Sequence, residues 1–491
     1  MNVWLLLPIL TPIAAGVLLS FFASKKDPKT LKPYLVLSVL LCAALTMITI
    51  NLGDLALRAI WVNSVINVHL RLDDLGRFFV IVATLIWTLV SFYTMGYTIK
   101  SERDIRFFST LLITYGAIVG ACFSGNFFTF YLFYELITLS NYPLITHKGT
   151  PESAKAGMQY IVYSFLGAGL IFISFVMISS LGYTTDFTAG GVFSPEIIAS
   201  RTPTLLLVYF IGFVGFGVKA YIWPLFNWVP NVYPVTPTPA AALFSGVGSK
   251  IAVIAIIRLT FFLFGHDILI DSWVQTLLIG ATLLTIFVGS MLAFREKLLS
   301  RRLAYSSVSQ LSYILFGIIL LNPVALVGAL LHVLFHAIIK VTLFLSAGAI
   351  EEKTGKRYVN EMHGLGKAMP ITIWCFTLAS VALVGIPPTG GFISKVHLLM
   401  GAMSSNYPTL GKVGAGILLI SALLAAGYLI PIFASAFFPG AKFKYEGRSK
   451  SEPNKLIIIP LILLAFLSLS LGVFPTFLVD SLGAISALLL Y

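Results

Sequence analysis

Charge is what this 491-residue chain has least of. Asp, Glu, Lys and Arg together make up 10% of it, against about a quarter in an ordinary soluble domain, and this excludes a water-facing globular fold. Acids are scarcer than bases, 19 against 32. The bases sit in short loops between apolar runs and form no basic-aromatic patch, so nucleic acid is excluded as a partner and the lipid bilayer explains them better. Three cysteines are present, Cys42, Cys122 and Cys375, each alone in an apolar run. None has a neighbour at metal or cluster spacing, so disulfides, zinc and iron–sulfur centres are not expected. A P-loop and a dinucleotide fingerprint are missing too, and no cofactor is expected in this chain.

Hydrophobic residues fill the space that charge leaves, at 58%. Runs of roughly 20 apolar residues, enough to cross a hydrocarbon core of about 30 Å, recur from end to end. The pattern predicts an all-α polytopic membrane protein with about 14 spans in one transmembrane domain. The spans centre on 3–22, 33–50, 77–98, 107–124, 127–146, 157–181, 204–226, 239–264, 273–294, 303–321, 324–349, 370–402, 413–438 and 456–490. Met1 to Ala23 lacks a basic n-region and reads as the first span, not as a signal peptide. Lys442 to Lys455 is the largest polar insert and reads as a linker.

Loops after odd-numbered spans carry 22 Lys and Arg residues, and loops after even-numbered spans carry five. The positive-inside rule makes the first set cytoplasmic and turns both termini outward. Five bases remain inside spans: Lys219, Lys250, Arg258, Lys340 and Lys395. Arg258 is expected to snorkel to the outer interface near His266 and Asp267. The other four should lie well within the membrane.

A charge at the centre of a transmembrane helix costs on the order of 2.5–3.5 kcal/mol. Such residues should face the bundle interior, towards water or a counter-charge. Glu135 is the one acid similarly placed, with Thr138 and Asn141 on its side of the helix. One carboxylate cannot neutralise four amines. Low dielectric disfavours the charged form, and a lysine that can switch charge carries protons. Snorkelling or helix pairing is the plainer reading of any single lysine; the whole set points to a path. His332, His336 and Lys340 stand at i, i+4 and i+8 and form one stripe along span 11. HxxxH suggests zinc, but position 333 is Val where HExxH needs Glu, so no metal is expected. Polar helix packing is an alternative, and a relay of titratable groups is preferred.

Two spans are interrupted. VKAYIWPLFNWVP places Pro224 and Pro230 just after Lys219, and VGIPPTGGFISK places Pro387, Pro388, Gly390 and Gly391 just before Lys395. Unwound backbone is tolerated in a membrane only where protein or a water-filled cavity satisfies it. Broken helices at matching places in two halves are the mark of inverted-repeat transporters. Spans 4–8 (residues 107–264) and 9–13 (residues 273–438) form two such five-span units, each broken in its fourth span. Spans 1–3 (residues 1–106) precede them and span 14 (residues 455–491) follows.

FYELITLSNYPL, VKAYIWPLFNWVP, PTPAAALFSGVGSK, HAIIKVTLFLSAGAI and GIPPTGGFISK follow one another in this chain. In these segments it resembles the antiporter-like subunits shared by Mrp-type cation/proton antiporters, respiratory complex I and membrane-bound hydrogenases. The resemblance covers nearly the whole chain. It implies fourteen helices, the two inverted repeats, a prokaryotic cell membrane, other membrane subunits as partners, and lateral transfer of H⁺ along a central hydrophilic axis, with Na⁺ as the candidate coupled ion. It makes Glu135 and Lys219 an electrostatic pair, Lys250 the connecting lysine, His332, His336 and Lys340 the central relay, and Lys395 the exit-side group. Two departures stand out: the family often has a histidine within the segment PLFNW, and an acid where this chain has Asn231. The chain runs only to Tyr491, so the long lateral helix and added domain of the largest members are not expected, and a D-type antiporter subunit is the preferred reading. A subunit of a redox-driven pump and a self-contained organic-solute carrier are the alternatives. The carrier needs groups converging on one site, whereas these charges are spread over spans 5, 7, 8, 11 and 12.

Overall fold

The computed structural model describes residues 3–22, 31–61, 66–97, 102–181, 184–440, 443 and 451–490. Its helices are α1 (Leu7–Phe22), α2 (Lys32–Ile50), α3 (Asp74–Tyr97), α4 (Glu102–Cys122), α5 (Phe127–Ile145), α6 (Pro151–Ser180) and α7 (Pro195–Gly217). A long irregular helix, α8 (Thr238–Phe264), follows. Then come α9 (Trp273–Arg295), α10 (Leu299–Ile319), α11 (Pro323–Thr354), α12 (Pro370–Val384), α13 (Gly390–Met403), α14 (Pro408–Phe437), α15 (Lys455–Val473) and α16 (Thr476–Leu490). Ten of the described helices are long and apolar enough to cross a membrane.

In a chain this apolar, polar caps and prolines fix where helices begin. Asn126, Thr150, Ser272, Asn322 and Asn454 each accept from the backbone N–H three residues on, opening α5, α6, α9, α11 and α15. That meets donors the first turn would otherwise orphan. Proline at the first turn of α6, α7, α11, α12 and α14 has no N–H to lose there. Gly355 and Gly385, at φ 69° and 90°, end α11 and α12 in the left-handed conformation that glycine adopts freely.

Three expected spans are divided. Span 7 stops at Gly217, and residues 218–237 continue only as a 3₁₀ turn (Leu225–Trp228) and one helical turn (Val229–Val232). Span 12 is α12 and α13 separated by residues 385–389, and span 14 is α15 and α16 separated at Pro475. The all-α expectation also missed an antiparallel pair, β1 (Ala56–Trp61) with β2 (Asn67–Arg71), in the segment between α2 and α3. Most of the linker expected at 442–455 lies outside the described residues.

The centre of the bundle belongs to α8 and α11, whose apolar windows are each 94% buried, against 39% for α6 and 33% for α14. Helices on the rim bury one face and offer the other to lipid or partner. These two helices, which like α10 are buried nearly all round, hold four of the seven candidate site residues.

Candidate functional site

The first candidate residues lie on α5 and just past α7. The ammonium of Lys219, just past the end of α7, donates to Thr138 Oγ1 and lies 3.8 Å from the centre of the Tyr134 ring. Glu135 is within electrostatic range of Lys219, but no direct ion pair joins them among the described residues, and Thr138 stands between them. Glu135 Oε1 is buried without a hydrogen-bond partner. The backbone broken after Lys219 is met by side chains: Trp223 N–H donates to Thr285 Oγ1 (3.0 Å) and Trp228 Nε1 donates to the Val218 carbonyl (3.1 Å). The peptide Trp223–Pro224 in this break is cis.

Lys250 lies in α8 between two π-helical segments, Phe244–Gly248 and Arg258–Phe264. Widened turns of this kind release carbonyls from the regular ladder. One of them, Ser245 O, accepts from the Lys250 ammonium at 2.6 Å. The same ammonium is 2.6 Å from His336 Nδ1, joining α8 to α11. The His336 and His332 rings stack with centres 5.8 Å apart, and His332 stacks on Tyr313 of α10 at 5.6 Å. His332 Nδ1 is 2.9 Å from Ser394 Oγ, next to Lys395 on α13. Lys395 lies 5.3 Å from the centre of the Tyr313 ring and donates to Leu383 O (2.6 Å) and Val384 O (3.0 Å). Those are the last carbonyls of α12, which the break leaves without helical partners.

Four of the seven expected residues form one line of contacts, Lys250, His336, His332 and, through its neighbour Ser394, Lys395, while Glu135 and Lys219 form a second group between α5 and the break after α7. Lys340 shares the stripe but turns its ammonium to α10, donating to Leu303 O (2.6 Å) and Ser306 Oγ (2.5 Å). Beside the line are buried polar atoms that no protein group satisfies, among them His332 Nε2, His336 Nε2, both amide atoms of Gln310 and the hydroxyl of Ser312. Buried polar groups are hydrogen-bonded as a rule, so the axis has unmet capacity suited to hydration. The Nδ1 atoms of HxxxH face Lys250 and Ser394, while both Nε2 atoms are left without a protein partner.

Arg258 departs from expectation. It does not snorkel towards His266, which pairs with Asp267 at 3.2 Å. It is 2% exposed and grips Asp73 with two nitrogens, at 2.5 and 2.6 Å. Burial alone would push the Asp73 carboxyl up; the Arg258 guanidinium, the Gly76 N–H and Arg71 outweigh it and hold the carboxyl below its ordinary value. A local reading could not see a partner 185 residues away. Tyr313 and Ser394 were also missed. The run SSVSQLSY in span 10, six polar residues in eight followed by an apolar stretch, was the available signal for the former.

A family model described as "NADH:quinone oxidoreductase/Mrp antiporter, TM" matches residues 124–421, a range that holds all seven site residues. NADH-quinone oxidoreductase subunit N of Desulforudis audaxviator is 30% identical over 392 residues, 78% of this chain and 76% of that protein. The D-type subunit of the Na(+)/H(+) antiporter of Alkalihalophilus pseudofirmus is 28% identical over 477 residues, 96% of this chain and 94% of that one. A chain of the Mrp complex from a Dietzia species superimposes with a TM-score of 0.86, covering 100% of this chain and 98% of its own, at 21% identity.

Proposed function

The chain belongs to the NADH:quinone oxidoreductase/Mrp antiporter transmembrane family, and we propose that it is the proton-translocating subunit of a multi-subunit cation/proton antiporter. The observation that carries this reading is the Lys250–His336 contact at 2.6 Å. It joins an ammonium and an imidazole, two groups that exchange protons readily, where the deeply buried helices α8 and α11 meet. On one side stand Lys219 and Glu135; on the other, His332, Ser394 and Lys395. Protons move laterally through protonation and release of these groups, with water bridging the gaps between them. Glu135 biases the charge of Lys219 through Thr138 instead of by direct contact. Both termini face outward, and the loops richest in Lys and Arg face the cytoplasm of a prokaryotic cell.

The match to the D-type antiporter protein over 94% of its length favours the antiporter. The 30% identity to a quinone oxidoreductase subunit favours a second reading, in which a redox module on other chains drives the same path. Purification in mild detergent, with identification of the co-purifying chains, separates the two: iron–sulfur or nickel subunits would support the second. The path itself is tested in proteoliposomes of the intact complex. Lys219→Ala and Glu135→Ala are each expected to abolish proton flux with normal assembly. Flux near wild type in either variant would remove that residue from the path.

A further inference from the structure

Away from the proton path, where α4 begins and α5 ends, an open cavity of about 310 Å³ lies between the two helices. Arg103, Arg106 and Phe107, at i, i+3 and i+4, bring one face of α4 to it, and Pro143 brings α5. Both arginines are exposed. Gly149, at φ 66° in the turn after α5, leaves room for the first of them: a Cβ there would lie 3.2 Å from Arg103 Nη1. The His147 ring is held on the wall by Asp104, 3.4 Å from its Nε2, and by Phe107, whose ring centre is 4.9 Å away. Asp104 itself lines a neighbouring cavity with Lys148. Burial outweighs Asp104 and keeps His147 below its ordinary value, so the positive charge here belongs to the arginines. The hydroxyls of Thr110 and Thr146, also in the wall, donate to carbonyls of their own helices at 2.9 and 3.0 Å. Recognition therefore falls to the two guanidiniums.

Two guanidiniums one turn apart suit an anion with several oxygens, phosphate above all. What decides the source of that phosphate is the surface leading away from it. Pro143 is exposed, and from it Leu139, Leu136 and Leu132 run back along α5 in steps of four, three and four, which is one stripe of a helix. Leu139 is 56% exposed, Leu132 is 44% exposed and Leu136 is half-buried. At 1.5 Å per residue the stripe covers about 16 Å, the depth of one leaflet of a core about 30 Å thick. A free anion makes no use of such a stripe. A phospholipid uses both parts, because its phosphate and its acyl chains are one molecule.

We propose that this cavity holds the phosphate of one anionic phospholipid between Arg103 and Arg106, with an acyl chain laid along Leu139, Leu136 and Leu132. The site shares no residue with the proton path. It stands at the interface where the positive-inside rule places the cytoplasm, and basic side chains there attract anionic headgroups. The arginines belong to α4 and the leucines to α5, so one lipid ties together two helices, the second of which carries Glu135 and Thr138.

The test counts the lipid kept by the intact complex, purified in detergent with dioleoyl phosphatidylglycerol and weighed by native mass spectrometry. Arg103→Gln/Arg106→Gln is expected to keep one phosphatidylglycerol fewer per copy of this chain than wild type. The concentration that refills the site should rise about tenfold or more. Gly149→Asp keeps both arginines but sets a carboxylate beside Arg103; it should lose the same lipid, and it decides the matter if the double variant fails to assemble. Lys297→Gln/Lys353→Gln removes two charges from exposed positions elsewhere on the same side and should keep the wild-type number. An unchanged count in the arginine and glycine variants overturns the site, as it would if an acidic group of a partner subunit filled the cavity. Equal loss in the lysine variant reduces the effect to diffuse attraction and overturns it too. So does release of the lipid from wild type by millimolar inorganic phosphate, which would make this a free-anion site.

Discussion

Replacing Lys250 with Met puts the largest demand on the lateral path. Met keeps the length and the unbranched shape of the side chain and removes the ammonium that is shared, at 2.6 Å each, between Ser245 O and His336 Nδ1. A hydrogen bond to a charged group contributes about 1.5–3 kcal/mol, which is about 10- to 150-fold in any step whose transition state needs it. If Lys250 is the link between the two halves, proton flux should fall at least tenfold. Assembly should hold, because exchanging a buried ion for a well-packed apolar side chain is often neutral or stabilising. His336→Leu should produce a loss of similar size, and the double variant should be little worse than either single one, since both remove the same contact. The assay is the initial rate of proton-driven fluorescence quenching in proteoliposomes, normalised to assembled complex. Wild-type flux in Lys250→Met, or fully additive losses in the double variant, would refute a path through this contact.

The other predictions concern Lys395, Asp73 and Gly391. If Lys395 exchanges protons, Lys395→Glu should keep measurable flux while Lys395→Met and Lys395→Arg are inactive, because arginine retains charge but releases no proton; a fully active Lys395→Arg would make it an anchor only. Asp73→Asn should lower the melting temperature more than the double change Asp73→Leu/Arg258→Met, because the single variant leaves a 2%-exposed guanidinium unpaired; equal or smaller loss in the single variant would contradict this. The folded Asp73 carboxyl lies below its unfolded value of about 3.9, so its contribution is present above that pH and is lost as pH falls through the lower folded value. Melting temperature followed on the acid side should therefore show a limb in wild type that Asp73→Asn lacks. Gly391→Ala should reduce the amount of assembled complex, since a Cβ there would meet the Ala382 carbonyl oxygen at 1.9 Å; normal abundance in membranes would show that α12 and α13 can part without harm.

The lysines of the path were legible in the sequence because a charge in an apolar run has no local excuse. Pro224, Pro230 and the PPTGG segment likewise announced both breaks, since proline removes a donor that a continuous helix needs. What one dimension hides is the partner across the bundle. Lys250 and His336 are 86 residues apart, and local spacing assigns Arg258 to its chain neighbours when its partner lies on the far side of β2. The acceptors of Lys340 were hidden for a related reason: a helical stripe gives the face of a side chain, while the ammonium at its end reaches Leu303 O and Ser306 Oγ of a neighbouring helix and stays within electrostatic range of Lys250 and His336. The β-pair escaped because an alternating strand such as NVHLR is short and sits among longer apolar runs.

The breaks and the charges are one device. A buried ammonium needs acceptors, and in mid-membrane a regular helix offers few, because each carbonyl is already committed to the N–H four residues on; Lys340 shares one such carbonyl, Leu303 O of α10, and leans on Ser306 Oγ as well. Lys395 is held by Leu383 and Val384, carbonyls that exist as free acceptors only because α12 stops there. Lys250 is held by Ser245, whose carbonyl lies in a π-helical segment. Neutral carbonyls solvate a lysine without fixing its charge, as a direct carboxylate partner would, so the proton on it remains available. Glu135, kept at one remove behind Thr138, follows the same logic: it is near enough to favour the ammonium and too far to lock it. A version of this chain with a continuous span 12 would lose the two carbonyls that hold Lys395, and a carboxylate put in their place would hold its proton more firmly.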